Sequence, residues 1–417
     1  MTDSRPGERL WPGWLGRLVS AVRRAGPYGV AVPLSAASAA VGLVREGLVL
    51  WKLGLTHQND QLQFYLSVIY TVSLFGDAAR LGTMNLLQEF SLPRVAFLVT
   101  ALGGGLGLVT TTWYWLGTKG MLWSLTAVAG VGGVLNLLAV TLVVERQREG
   151  RFLMAHMATV SPNFLICAGA LVAFPLSSGA FIKVIVLLFL SAPVLQIGIL
   201  LAAGARFLAP SERRERSWIG PGSRQLGLHA LQAVGMQWGQ VLIRTGLSAA
   251  SPGSLALFSI IARSVDAVRA VFVDSYIGSR VSSWAARREG VPTLLDPQRY
   301  TPVTLIAICA LTAALTLVMS PGTVGMGSAA WYSAILILGA YLQFAGRVGY
   351  FFVNSYSSPS ALILRSSGLN IALAGLMASL QAVWVGAILW LIWIFYVARA
   401  AIQLWLVRGY TLVSSAQ

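Results

Sequence analysis

Residues 181–205 read FIKVIVLLFLSAPVLQIGILLAAGA, a run of 25 positions with one charge, Lys183. A soluble helix keeps a polar face, whereas this segment is apolar all round and long enough to cross ~30 Å of hydrocarbon. Working outward, comparable runs separated by charged or Pro/Gly breaks fall near 28–50, 62–88, 95–116, 121–144, 153–174, 226–248, 254–284, 302–320, 329–353, 361–380 and 383–407. The expectation is an all-α polytopic membrane protein with about 12 transmembrane helices. Unbroken runs, rather than alternating ten-residue segments, exclude an outer-membrane barrel. With 56% hydrophobic and 11% charged residues, and a mean hydropathy of +0.72, the 417 residues leave no room for a soluble domain of useful size.

The net charge of +16 is almost all arginine, since only Lys52, Lys119 and Lys183 are lysines. Arginines recur in alternate loops, on one side of the spans: Arg94, then Arg146, Arg148 and Arg151, then Arg206, Arg213, Arg214, Arg216 and Arg224, then Arg287, Arg288 and Arg299, then Arg408. By the positive-inside rule those loops and both termini are cytoplasmic, with the three lysines outside, and most loop arginines report topology rather than ligand binding. The longest inner loop, 206–225, divides the chain into a basic N-terminal segment (1–27), a six-helix lobe (28–205), a second six-helix lobe (226–408) and a tail (409–417). A faint echo between Val44-Arg45-Glu46-Gly47-Leu48 and Ile243-Arg244-Thr245-Gly246-Leu247 fits two repeated lobes.

A charge near the bilayer centre costs at least a few kcal/mol, so each one asks for a partner or a wet cavity. Arg45, Glu46, Asp77, Arg80, Arg244, Arg263, Asp266, Arg269, Asp274 and Arg347 all fall inside the expected spans. In the eighth span Arg263, Asp266, Arg269, Asp274 and Arg280 share an arc of about 140° at 100° per residue. A helix lying flat on the membrane would upset the loop alternation. A purely structural face would pair Arg263 with Asp266 and Asp266 with Arg269; the favoured reading is a face lining an aqueous cavity between the lobes. Arginine stays charged when desolvated and grips phosphate through a planar fork, so the implied ligand is anionic, a phosphate or diphosphate. The substrate-binding candidates are Arg45, Arg80, Arg244, Arg263, Arg269 and Arg347. Glu46, Asp77, Asp266 and Asp274 either hold those arginines in place or couple an ion.

Little points to catalysis. His57, His156 and His229 are scattered, Cys167 and Cys309 lie in separate apolar runs, and no metal-ligand spacing, GxSxG motif or nucleotide-binding loop is present. The reading is a transporter and not an enzyme, without metal or cofactor, driven by H+ or Na+ or by the substrate's own gradient.

Ser38-Ala-Ala-Val-Gly42-Leu-Val-Arg45-Glu46-Gly-Leu-Val-Leu-Trp-Lys-Leu-Gly54, followed by Asp60, resembles the opening helix of the multidrug/oligosaccharidyl-lipid/polysaccharide (MOP) exporters. Leu255-Ala-Leu-Phe-Ser-Ile-Ile-Ala-Arg263-Ser-Val-Asp266 is similar to the start of the eighth helix in the lipid-linked-sugar branch, which holds MurJ-type and Wzx-type flippases. Twelve expected helices favour the Wzx type. The resemblance implies a bacterial inner-membrane flippase that moves a polyprenyl-diphosphate-linked glycan by alternating access, with functional arginines at Arg45, Arg244 and Arg263. It also implies membrane lipids, polysaccharide polymerase and glycosyltransferases as partners, and no nucleic acid. The alternatives are a multidrug cation antiporter of the same superfamily and a non-transporting scaffold of a polysaccharide pathway. A cation site is expected to be lined by acids, so the arginine surplus counts against the antiporter.

Overall fold

The computed structural model describes residues 13–69, 91–117, 123–202, 204, 227–228, 231, 238–247, 252–271, 360–383, 395, 397–399, 401–402 and 405–406. Among these every regular element is a helix: α1 (Gly13–Leu53), α2 (57–69), α3 (Leu92–Gly117), α4 (Trp123–Arg148), α5 (Phe152–Ala173), α6 (Ser178–Ala202), α7 (238–247), α8 (Ser254–Arg269) and α9 (Ser360–Val383). Five contain stretches long and apolar enough to cross a membrane, at Ala31–Leu53, Trp123–Gln147, Phe152–Ala173, Ser178–Ala202 and Ala361–Leu380. The chain is a multi-pass membrane protein. The expected spans 302–320 and 329–353 lie outside the described residues.

Helix α1 is described over 41 residues, Gly13–Leu53, and so runs unbroken from the basic N-terminal segment into the first span. At 1.5 Å per residue that is about 60 Å, twice the hydrocarbon thickness, so its first turns stand beyond the Ala31–Leu53 span. Hydropathy marks where a helix enters lipid and not where its backbone hydrogen bonds begin.

Local chemistry fixes the ends. At the C-terminus of α1, Gly54 takes a left-handed φ of 63° and its N–H reaches the Leu50 carbonyl at 2.7 Å. The Thr56 hydroxyl covers the Leu53 carbonyl at 2.7 Å, and the Asn59 amide covers that of Gly54 at 2.6 Å. At the end of α4, Gly150 (φ 76°) donates to Gln147 at 3.1 Å and Arg151 to Arg146 at 2.9 Å, which is the Schellman pattern. Pro162 inside α5 and Pro193 inside α6 each remove a backbone donor. Beside the first, the Ser161 hydroxyl takes up the freed Ala158 carbonyl at 3.2 Å.

Helix α5 packs against α1 and α6, and α4 against α3 and α6. The α5–α6 approach is close because Gly169 has no side chain: a Cβ there would lie 2.3 Å from Leu188 Cδ1. One buried apolar cluster joins residues of both halves, from Leu62, Phe181 and Ile185 to Ile243, Phe258 and Phe395. Large apolar side chains such as Trp51 and Val172 (both 79% exposed) lie on the outside, a surface suited to lipid. Gly239 of α7 meets the ring of the fully buried Phe395, whose Cε2 is 2.1 Å from where a Cβ would stand. Gly239→Ala is therefore expected to lower stability by ~1–3 kcal/mol through overpacking. The readout is the thermal midpoint of the detergent-solubilised protein, and an unchanged midpoint contradicts the packing.

Candidate functional site

The site grows from two adjacent residues of α1. Arg45 and Glu46 are both buried, with 6% and 2% of their surface exposed, about two turns before the helix ends at Leu53. Leaving a carboxylate there unpaired would be prohibitive, and its Oε1 accepts from Arg45 Nη2 at 2.7 Å and Nε at 3.1 Å. Arg263 reaches the same oxygen from α8, 217 positions along the chain, through Nη1. Two guanidiniums from opposite halves of the sequence thus meet on one carboxylate.

Polar side chains set the aim of both arginines. Arg45 Nη1 donates to Asn163 Oδ1 on α5 at 3.3 Å, and Asn163 Nδ2 in turn donates to Ser38 Oγ at 2.8 Å. The Arg45 guanidinium also lies over the Phe189 ring of α6, 5.0 Å from its centroid. On the other side Arg263 Nη2 donates to Gln63 Oε1 of α2 at 2.9 Å, and Gln63 Nε2 to Asn59 Oδ1 at 3.3 Å. Five helices thus converge here: α1, α2, α5, α6 and α8.

A second junction lies one loop away, at the outer side by the expected topology. Asp60 accepts from the backbone N–H of Gly253 at 2.6 Å and of Ala256 at 2.8 Å, capping the N-terminus of α8 from another part of the chain. Burial pushes the Asp60 carboxyl above the usual carboxylate range, and the two amide donors pull it back. Gly253 adopts φ 86°, and a Cβ there would meet the Leu55 carbonyl oxygen at 2.7 Å, so the α1–α2 loop and the start of α8 touch backbone to backbone. Asp60→Asn keeps one acceptor and removes the charge, and is expected to cost ~1–2 kcal/mol of this junction. Denaturation of wild type and variant in the same detergent measures the difference, and equal midpoints argue that the bonds are exchanged for water at no cost.

Of the ten charged residues singled out in the sequence, the structure brings Arg45, Glu46 and Arg263 together. Arg269 pairs with Asp266 at 2.7 Å, one turn further along α8 and more open, with side chains 22% and 53% exposed. The expected polar face of α8 is therefore divided: Arg263 is packed into the junction with a 15% exposed side chain, and only the next turn is open. Arg244 lies half-buried on α7, its Nε enclosed without a hydrogen-bond partner. Arg80, Asp77, Asp274 and Arg347 fall outside the described residues.

Sequence reasoning missed Gln63, Asn163 and Phe189, and it treated two other residues too simply. Arg146, read as a topological loop charge, is 3% exposed and paired with Glu149. His156, one of three histidines that look scattered in the sequence, places Nε2 3.0 Å from Ser35 Oγ and 3.1 Å from the Ala31 carbonyl, tying α5 to α1.

No family model matches the sequence, and no curated protein matches it. Solved structures do. The lipid II flippase MurJ in an inward closed conformation aligns with a TM-score of 0.55 at 15% identity, over 94% of this chain and 87% of that one. A multidrug resistance MATE family transporter of the MOP superfamily aligns in its inward-facing conformation with a TM-score of 0.54 at 11% identity, over 91% and 96%. The outward-facing conformation of a MATE family transporter of that superfamily gives 0.52 at 11%, over 94% and 98%. The fold is that of the MOP transporters. Within this fold, the arginine pair on Glu46 bridges an early helix and a later one, so the charges bear on how the two parts of the chain are held together.

Proposed function

We propose that this protein is a flippase that carries a polyprenyl-diphosphate-linked oligosaccharide, a precursor of a cell-surface polysaccharide or of peptidoglycan, across the bacterial inner membrane. The observation that carries the reading is the meeting of two guanidiniums, Arg45 and Arg263, from distant parts of the chain at Glu46. Such a site favours a multiply charged anion and repels a cation, which speaks against drug-cation export despite the shared fold. The diphosphate is drawn between α1 and α8, the polyprenyl chain remains in lipid, and the glycan crosses with the headgroup. Asp60 ties the α1–α2 loop to the α8 N-terminus, and release of this contact accompanies the switch of access. Both termini in the cytoplasm, Wzx-type membership and cooperation with polymerase and glycosyltransferases belong to the same proposal.

Proteoliposomes test it. Vesicles containing the purified protein and a fluorescent polyprenyl-diphosphate sugar are expected to lose the protected inner-leaflet fraction to an external quencher, while an organic dye cation is not transported. Dye transport with no movement of the lipid would overturn the reading in favour of a cation antiporter. Movement of neither would leave the scaffold.

A further inference from the structure

Three N–H groups from two guanidiniums crowd onto Glu46 Oε1, while Oε2, enclosed within the protein, accepts no hydrogen bond at all. An arginine fork normally engages two oxygens side by side. Here guanidiniums from α1 and α8 share one oxygen of a single carboxylate. The outer donors of each arginine are occupied by neutral amides, Asn163 for Arg45 at 3.3 Å and Gln63 for Arg263 at 2.9 Å, so both groups are held in place independently of Glu46. The arrangement has the shape of an oxyanion site occupied by an undersized anion.

We propose that Glu46 is a built-in competitor for the diphosphate: its carboxylate holds the position of a phosphate oxygen between Arg45 and Arg263 until the substrate displaces it. The inference rests on the flippase reading and adds how that site is regulated. A diphosphate offers several oxygens and more negative charge, so it can satisfy each fork separately. Displacement then removes the clamp that ties α1 to α8, coupling arrival of substrate to freedom of the two halves to move. Without substrate the same clamp keeps other anions out. Glu46 is in this view a positioning residue that sets affinity and not a substrate ligand.

The test uses full-length protein in nanodiscs and inorganic pyrophosphate as probe, followed by calorimetry. Glu46→Gln keeps size and acceptor but removes the charge, so the competitor role requires pyrophosphate to bind roughly tenfold tighter or more than to wild type. The double variant Glu46→Gln/Arg263→Ala should lose that gain. A carboxylate that merely scaffolds the arginines predicts the opposite, weaker binding in Glu46→Gln. A second readout needs no variant: Glu46 held by two arginines resists a hydrophobic carbodiimide, and pyrophosphate should increase its modification as read by peptide mass spectrometry, several-fold at saturation. Wild type that binds pyrophosphate, combined with unchanged or weaker binding by Glu46→Gln or with Glu46 protected by the ligand, overturns the competitor and leaves the flippase reading standing. Failure of wild type and Glu46→Gln alike to bind pyrophosphate overturns both.

Discussion

Arg263→Ala is expected to cut glycan export in a flippase-deficient strain by roughly ten- to a hundredfold, the equivalent of losing charge-assisted bonds that contribute about 1.5 to 3 kcal/mol. The structure makes this substitution unusually clean. Glu46 keeps Arg45 at 2.7 Å when Arg263 is removed, so no buried charge is orphaned and the protein should accumulate in the membrane at close to its normal level. Arg263→Lys retains the charge but not the fork, and is expected to keep part of the activity. Export normalised to folded protein is the measurement. Full activity in Arg263→Ala would remove the arginine from the substrate path, and a loss that only tracks abundance would return it to a structural role.

The second large effect is expected at Gly253. Its φ of 86° and the 2.7 Å between a hypothetical Cβ and the Leu55 oxygen leave an alanine two ways out, both costly. Either the backbone stays left-handed at a cost of about 1 to 2 kcal/mol, or the α8 N-terminus withdraws and Asp60 loses its amide partners. Gly253→Ala should therefore loosen this junction. In a variant lacking Cys167 and Cys309, a cysteine replacing the buried Ser259 of α8 reports this. Its labelling by a membrane-impermeant maleimide is slow in the parent and should accelerate on adding Gly253→Ala, or Asp60→Ala, by about tenfold for each 1.4 kcal/mol of lost closure. Equal labelling in all three would mean that the junction does not keep this part of α8 closed off.

These two positions also show how differently the residues of one junction announce themselves. Arg263 is conspicuous in a linear reading because a guanidinium in an apolar run demands compensation, and that demand is a property of the residue and the solvent alone. Gly253 is one of 43 glycines, and nothing adjacent to it says that another loop's carbonyl will press against its Cα. Asp60 is similar: the donors that engage it are backbone amides, which every residue but proline possesses and which leave no mark on composition. Gln63 and Asn163 escaped for a related reason, since a polar amide near a helix is common and its meaning depends on what faces it.

The sequence by itself located the five stretches that the structure describes as helices long and apolar enough to cross a membrane. Span 152–173 was expected at 153–174 and span 123–148 at 121–144, because partition into lipid is decided over some 20 consecutive residues and sums contributions that do not depend on distant neighbours. It also determined that Arg45, Glu46 and Arg263 require an explanation. Tertiary structure alone decided that the three explain one another. Contacts across 217 positions depend on how α1 and α8 pack, and equally charged Arg269, six residues from Arg263, turns instead to Asp266 because the helix carries it away from α1. An α-helix advances 1.5 Å and turns 100° at each residue, so the helix geometry sets which charges share a face, but only the packing of a second helix selects which of them is buried.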